Sequence, residues 1–253
     1  MKLISLRNRA GENVKTQLVS GVFQKVFHSI FHLLSIDEIT GTKILSRKDL
    51  LHIGTDYGGW VVPKELLNPN SICYCVGCGE DITFDLGLIE EFNCNIYAFD
   101  PTPRAIKHVR EKAAHYDKYR FFDIGLWDRE EKLRFYAPKD SAHVSHSALN
   151  LQKTQEFFVA QVDRLANVMH KNGHTHLDLL KLDIEGAEYK VVNSIIEDEL
   201  DIKILCVEYD ECFNPLDINY RDRIKESVAS LLQFGYSLVY AQGNGNYTFF
   251  KDV

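Results

Sequence analysis

Two glycines and two acids follow a short apolar run in the segment "VGCGED". Gly77 and Gly79 can form a tight turn that a ligand approaches closely, because glycine has no Cβ. Glu80 and Asp81 come next, where carboxylates would repel a pyrophosphate but suit a ligand with a cationic end. A dinucleotide-binding turn would have a third glycine at position 82, which is isoleucine. The pattern therefore favours S-adenosylmethionine, which carries a sulfonium and an ammonium group and no phosphate, over NAD.

Asp100 ends the next apolar run, in "YAFDP", roughly 20 residues after the glycine turn. An acid at this point of a nucleotide-binding α/β fold accepts hydrogen bonds from both ribose hydroxyls. Since this feature fits NAD as well as S-adenosylmethionine, its value lies in its combination with the turn. A chance combination of two glycines with an acid at a strand end is the alternative.

A second acidic group lies in "LLKLDIEGAE", where Lys181, Asp183 and Glu185 alternate with aliphatic residues. Alternation places the three charged side chains on one side of a strand. Charge deep in a central parallel strand is costly, so we expect both acids to emerge at its carboxyl end. Glu208 and Asp210 end the next strand, in "KILCVEYD", and extend the acidic rim. Alternatively, Asp183 or Glu185 caps the following helix while Lys181 neutralises it.

Three cysteines, Cys73, Cys75 and Cys78, raise the alternative of a metal site built from thiolates. Cys73 and Cys75 share one face of a buried strand, whereas Cys78 lies within the turn, so the three thiols do not converge. We expect them to pack as small hydrophobic residues. His28 and His32 also have a spacing that suits a metal, but the sequence places no third ligand near them.

The elements that must position these residues alternate between strand-like and helix-like stretches from residue 71 onward. This alternation predicts an α/β fold with a doubly wound parallel sheet, in which ligands bind at the carboxyl ends of the strands. The stretch "YRFFDIGLW", residues 119–127, is predicted as one strand. Because "GNGN" is a hairpin signal, the last strand is predicted to run antiparallel at or near an edge.

Residues 13–36 have apolar side chains at helical spacing, which predicts an amphipathic helix packed against the body or a partner subunit. We therefore divide the chain into an N-terminal helical extension, 1–50, and one domain, 51–253. Formation of a homo-oligomer through the helix is compatible with every function considered. In the turn-rich segment that follows, Tyr57 and Trp60 either close over a neighbouring pocket or anchor the loop to the core.

The composition is that of a soluble globular protein, with 253 residues of which 45% are hydrophobic and 26% charged. The net charge of -7 argues against a nucleic-acid partner. No apolar run approaches the roughly 18 residues that span a bilayer, and the N-terminus lacks a signal-peptide core. We therefore expect a cytoplasmic protein with reduced thiols and no transmembrane segment.

Six segments together resemble the FkbM-type S-adenosylmethionine-dependent methyltransferases: "DYGGWVVP", "GCGEDITFDLGLI", "YAFDPTP", "DIGLWD", "LLKLDIEGAEYKVV" and "YTFFK". In order and spacing they cover residues 52–250. The resemblance implies a Rossmann-like, seven-stranded sheet with an antiparallel last strand, and methyl transfer to an acceptor oxygen, often on a sugar or polyketide hydroxyl. It also implies that Asp183 and Glu185 face the acceptor. The residues implied to hold the cofactor are Gly77, Gly79 and Glu80 around the methionine moiety, Asp100 at the ribose, and Asp123, or Gly125 and Leu126, beside the adenine. Asp81, next to Glu80, is a further cofactor-binding candidate.

Methyl transfer to a hydroxyl mainly requires alignment of the acceptor and removal of its proton. The candidate bases are Asp183, Glu185, Glu208 and the loop histidines His143 and His146. The acids could instead hold a divalent metal ion that lowers the pKa of the hydroxyl, and the sequence leaves both alternatives open.

The predicted function is O-methyl transfer to a glycan or related metabolite, with a nucleotide sugar, a free glycan or a lipid-linked glycan as acceptor. An NAD-dependent oxidoreductase is the second hypothesis. A non-catalytic module that keeps the fold and binds a partner through the first helix is the third.

Overall fold

The structure is a computed structural model, which describes residues 36–140, 142–243 and 245–252. Its strands are β1 (Leu50–Ile53), β2 (Trp60–Pro63), β3 (Ile72–Val76), β4 (Asn95–Phe99), β5 (Tyr119–Phe122), β6 (Gly125–Trp127), β7 (Glu131–Tyr136), β8 (Phe157–Arg164), β9 (His176–Leu182), β10 (Asp201–Glu208), β11 (Ser237–Gln242) and β12 (Asn246–Phe250). Its helices are α1 (Thr83–Phe92), α2 (Pro103–Lys112), α3 (Leu165–Lys171), α4 (Glu188–Glu197) and α5 (Tyr220–Gln233), with 3₁₀ turns at Lys64–Leu66 and Asp210–Cys212.

Seven of these strands form one sheet in the order β11-β12-β10-β9-β3-β4-β5. Neighbouring strands from β10 to β5 are parallel, whereas β12 is antiparallel to both β10 and β11. The predicted doubly wound α/β sheet is confirmed, and its last strand runs antiparallel one place in from the edge. Chain order reverses at β3, which has β4 on one side and β9 on the other. A crevice for a ligand therefore opens at the carboxyl ends of these strands.

β3 shows how the sequence builds a sheet that is buried on both faces. Tyr74 and Val76 pack into one hydrophobic cluster, and Cys73 and Cys75 pack into the cluster on the opposite face. Cys78 joins the second cluster, where burial raises the pKa of its thiol well above the usual value. These cysteines therefore act as small hydrophobic side chains, as predicted. Within the described residues, none of them belongs to a group with metal-binding geometry.

The segment 119–127, predicted as one strand, forms two strands in different sheets. β5 pairs with β4 in the main sheet, whereas β6 pairs with β8. β6, β8 and β7 form a separate three-stranded sheet. The prediction was wrong because both pieces are rich in apolar residues, and the choice of sheet depends on pairing partners that are distant in sequence.

Residues 36–49 pack against the edge of the main sheet, where Leu45 N donates a hydrogen bond to Leu238 O at 2.7 Å. Residues 1–35, which carry nearly all of the predicted N-terminal helix and both of its histidines, lie outside the described residues. The domain boundary after residue 50 and the oligomer stay predictions. Within the described residues, no helix is both long and apolar enough to cross a membrane.

Candidate functional site

A cavity of about 760 Å³ opens at the carboxyl ends of β3, β4, β9 and β10. The predicted site residues that line it are Gly77, Gly79, Glu80, Asp81, Asp100, Gly125, Leu126, His143, His146, Asp183, Glu185 and Glu208. Asp123 is exposed and lies outside this lining, because the chain leaves the main sheet there and turns towards β6. Gly125 and Leu126 are the residues of that segment which line the cavity, and the role of Asp123 beside the adenine stays a prediction.

The turn after β3 depends on Gly77, whose φ of 84° lies in the left-handed region that favours glycine. A Cβ at this position would lie 1.7 Å from the carbonyl oxygen of Asp183. The backbone N–H of Gly77 donates to Phe99 O at 2.9 Å, and its carbonyl oxygen accepts a hydrogen bond from Lys181 Nζ. The turn is therefore packed directly against the carboxyl ends of β4 and β9.

Asp100 organises the same turn from the end of β4. Its Oδ2 accepts hydrogen bonds from the backbone N–H groups of Cys78 and Gly79, both at 2.9 Å. Its Oδ1 accepts one from Thr102 N at 2.8 Å. Burial raises the pKa of this carboxyl group, although the backbone donors oppose the shift. Asp100 thus fixes the glycine turn, a structural role that the sequence analysis did not predict.

Glu80 and Asp81 line the cavity but also have partners of their own. Glu80 forms an ion pair with Arg104 at 2.5 Å. Asp81 accepts hydrogen bonds from the Thr55 hydroxyl at 2.5 Å and from Thr83 N at the start of α1 at 2.9 Å. The two acids therefore fasten the turn to α2 and to the loop after β1, and their predicted role towards a cationic ligand stays a prediction.

Acidic side chains meet on the opposite wall of the cavity. Asp183 forms an ion pair with the buried Lys181 at 3.0 Å. Oxygens of Asp183, Glu185 and Asp210 all lie within 4.8 Å of one another. Glu208, at the end of β10, lines the cavity beside them. As predicted, the acids emerge where their strands end.

Burial and mutual repulsion keep several of these carboxyl groups easier to protonate than usual. Burial, followed by the charge of Asp183, raises the pKa of Glu185 to about 7 and that of Glu208 to about 9. Burial alone would lower the pKa of Lys181, but the charges of Asp183 and Asp85 raise it. Lys181 is therefore a permanent cation among acids whose charge depends on what is bound beside them.

Glu188 supports the site at the turn after β9, a role that the sequence analysis missed. It is fully buried, and its Oε1 accepts hydrogen bonds from Ile184 N at 3.0 Å and Gly186 N at 3.1 Å. It thereby caps the turn that presents Glu185, whose φ of 56° is unusual for a residue other than glycine. The alternative that Asp183 or Glu185 caps this helix is therefore wrong. An acid in the first turn of a helix was the available signal.

The loop residues that were predicted near the site differ in their position relative to the cavity. His146 lines the cavity, and its Nδ1 lies 2.8 Å from Val144 O, so one ring nitrogen already has a partner. Tyr57 is 82% exposed at the mouth of the cavity. Trp60 is only 4% exposed and packs in the hydrophobic core with Cys73, so it anchors the loop rather than covering the pocket.

Residues 49–237 match the model of the family described as the methyltransferase FkbM domain. Over 178 residues the chain is 26% identical to the human "probable methyltransferase-like protein 24", covering 69% of this chain and 40% of that protein. It is 22% identical over 160 residues to "2-O-methyltransferase NoeI" of Sinorhizobium fredii (strain NBRC 101917 / NGR234), covering 58% of this chain and 66% of that one. The match to the human relative thus spans about two fifths of that protein's length.

Among solved structures, the chain is similar to the methyltransferase FkbM from Methylobacillus flagellatus KT, with a TM-score of 0.46 and 11% identity over 73% of this chain and 44% of that chain. It is also similar to the Aeropyrum pernix fibrillarin that was crystallised with natively bound S-adenosyl-L-methionine, with a TM-score of 0.39 and 8% identity over 73% of this chain and 66% of that one. The family match covers most of the chain, including the glycine turn and the acids after β9 and β10. This chain belongs to the FkbM methyltransferase family.

Proposed function

We propose that this chain transfers a methyl group from S-adenosylmethionine to a hydroxyl oxygen of a carbohydrate acceptor. One observation carries the proposal: a single cavity joins the glycine turn after β3 to the carboxyl groups at the ends of β9 and β10. The glycine turn suits a cofactor without phosphate, and the carboxyl groups suit removal of a proton from the acceptor. A family relative described as a 2-O-methyltransferase supports transfer to oxygen.

In this proposal the methionine end of the cofactor lies along Gly77 and Gly79, and its ribose lies at Asp100. The adenine lies against Leu126, which is buried at the edge of the cavity. The sulfonium then points towards the acids after β9, whose negative field favours a cation. No third glycine is needed, because there is no pyrophosphate to cradle.

The reaction is a displacement at carbon. A lone pair of the acceptor oxygen forms the new bond to the methyl carbon while the carbon–sulfur bond breaks and its electrons return to sulfur. Glu208 takes the hydroxyl proton, because it lines the cavity and burial gives its carboxyl group a pKa of about 9. The sulfonium beside it lowers that pKa and thereby favours the ionised form that accepts a proton.

The direct test incubates the full chain with methyl-labelled S-adenosylmethionine and a panel of nucleotide sugars, free glycans and lipid-linked glycans, with products identified by mass spectrometry. Calorimetric titrations with S-adenosylmethionine and with NAD run in parallel. We expect binding of the first alone and a methylated product. Binding of NAD alone would favour the oxidoreductase hypothesis, and binding of neither would favour the non-catalytic module.

Tyr57 is the side chain proposed to stack on the acceptor ring, since it is exposed at the cavity mouth. We expect Tyr57→Ala to raise the acceptor KM roughly 2–13-fold, which corresponds to about 0.5–1.5 kcal/mol of aromatic contact. The free energy of unfolding should change by less than about 0.5 kcal/mol, because the ring is mostly in solvent. Steady-state kinetics and denaturant titration measure the two quantities.

A matched control is Ile218→Ala, which removes another exposed apolar side chain, 93% exposed and outside the cavity lining. Its acceptor KM should equal that of the unaltered protein. An unchanged KM for Tyr57→Ala would contradict the stacking role and leave the rest of the proposal standing.

A further inference from the structure

We propose that Asp183, Glu185 and Asp210 bind one divalent cation, Mg²⁺ or Mn²⁺, on the wall of the cavity that faces the acceptor. The site itself is argued from geometry, and its part in the reaction rests on the proposed function. Each of the three residues offers a carboxylate oxygen, and these oxygens lie within 4.8 Å of one another. Around an octahedral Mg²⁺ with bonds of about 2.1 Å, ligand oxygens are about 3.0 Å apart when adjacent and about 4.2 Å apart when opposite. The three carboxylates can therefore reach one ion with small movements.

Unpartnered oxygens in this cluster are an independent argument for a cation site. Asp210 is only 6% exposed, yet among the described residues its Oδ2 has no hydrogen-bond donor. The Oε2 of its electrostatic neighbour Glu188, which is fully buried, has none either. A buried carboxylate oxygen without a partner is costly, and a metal ion removes that cost by direct coordination.

The charge balance of the cluster leads to the same conclusion. The carboxyl groups gathered here are those of Asp183, Glu185, Glu188, Glu208 and Asp210. Lys181 adds a positive charge to this cluster. Its Nζ lies 3.0 Å from Oδ2 of Asp183 and also donates to the carbonyl oxygen of Gly77. Hard carboxylate oxygens with this excess of negative charge are the ligand set that Mg²⁺ and Mn²⁺ prefer.

A cation in this place defines the acceptor more closely. Three protein oxygens leave further positions of an octahedron for water and for the acceptor. A sugar ring with two neighbouring hydroxyls can fill two of them, and the coordinated hydroxyl then loses its proton more readily, to Glu208. The proposed ion would thus favour an acceptor with neighbouring oxygens over one with an isolated alcohol.

The test is a titration of the chelator-treated full chain with Mn²⁺, in which electron paramagnetic resonance measures the free ion. We expect one bound Mn²⁺ per chain, and at least about tenfold weaker binding for Asp210→Asn and for Glu185→Gln. The control is Asp222→Asn, which alters an acid that is 71% exposed on α5. It should bind Mn²⁺ as the unaltered chain does. Circular dichroism checks that each variant is folded.

Calorimetric titration with S-adenosylmethionine on the same samples separates this inference from the proposed function. Absence of Mn²⁺ binding up to about 1 mM, in protein that binds S-adenosylmethionine, would overturn the metal site and leave the proposed function intact. Mn²⁺ binding that both Asp210→Asn and Glu185→Gln retain in full would overturn the ligand assignment. If the unaltered chain binds Mn²⁺ but not S-adenosylmethionine, the result counts against the proposed function alone.

Discussion

Gly77→Ala is expected to abolish S-adenosylmethionine binding and to lower the free energy of unfolding by more than about 4 kcal/mol. The new Cβ would lie 1.7 Å from the backbone carbonyl oxygen of Asp183, far inside van der Waals contact. That carbonyl cannot simply move away, because Asp183 N donates to Val76 O at 3.2 Å and holds β9 against β3. The φ of 84° adds backbone strain for any residue with a Cβ. Relief of the clash would therefore separate the two central strands at the cofactor turn.

Gly173→Ala is the matched control for this experiment. Gly173 also has a positive φ, 74°, but a Cβ there would meet no atom of the described residues within 4 Å. We expect a cost of about 1–2 kcal/mol from backbone strain alone and an unchanged affinity for S-adenosylmethionine. Denaturant titration and calorimetry measure both variants. A Gly77→Ala protein as stable as Gly173→Ala, with normal cofactor affinity, would show that the turn is more adaptable than its packing indicates.

Glu208→Gln is expected to lower kcat for methyl transfer roughly 10²–10⁴-fold, the usual contribution of a positioned proton acceptor. The amide has the shape of the carboxyl group but cannot accept the hydroxyl proton. Because burial and the charge of Asp183 raise the pKa of Glu208 to about 9, the group is mostly neutral in the ligand-free protein. Glutamine imitates that neutral form, so we expect an unchanged or slightly higher melting temperature. Single-turnover kinetics with the best acceptor of the panel measure the chemical step.

Glu226→Gln provides the same substitution on the exposed surface of α5 and should leave kcat unaltered. Cofactor affinity should change less than about threefold in either variant, because neither residue belongs to the glycine turn. If Glu208→Gln kept kcat within about fivefold of the original value, Glu208 would not be the proton acceptor. The role would then pass to another of the predicted bases, with Glu185 the first to test.

Sequence patterns predicted the sheet and much of the cavity wall because both depend on short-range rules. Alternating strands and helices imply parallel neighbours, so residues that end β3, β4, β9 and β10 must meet at one edge. Gly77 and Asp100 were identified in this way, and so were the acids after β9. These residues follow β3, β4 and β9, which are adjacent at the centre of the sheet, so they meet at one crevice.

The sequence left alternatives open, or missed a role, where long-range packing decides. Trp60 lies in a turn-rich segment, and its ring is buried in a cluster whose other members include residues of β3 and α1. Asp123 follows β5 as Asp100 follows β4, but the chain then moves to another sheet and leaves the acid in solvent. Glu188 resembles any surface acid at the start of an amphipathic helix, and its two backbone donors become visible only once the preceding turn is folded.

The position of Lys181 predicts thermodynamic linkage between the two halves of the cavity. A single ammonium group interacts with the carbonyl oxygen of the cofactor turn and with the carboxylate of Asp183. A cation or proton that neutralises Asp183 weakens its ion pair with Lys181, and the ammonium group then interacts more strongly with the glycine turn. A ligand that draws the ammonium group towards the turn weakens the ion pair in the same way. Linkage then requires that an occupant of the acidic wall and the cofactor alter each other's affinity by the same factor. Calorimetric titrations of each partner in the presence and absence of the other would reveal this cooperativity, and equal affinities in both conditions would exclude it.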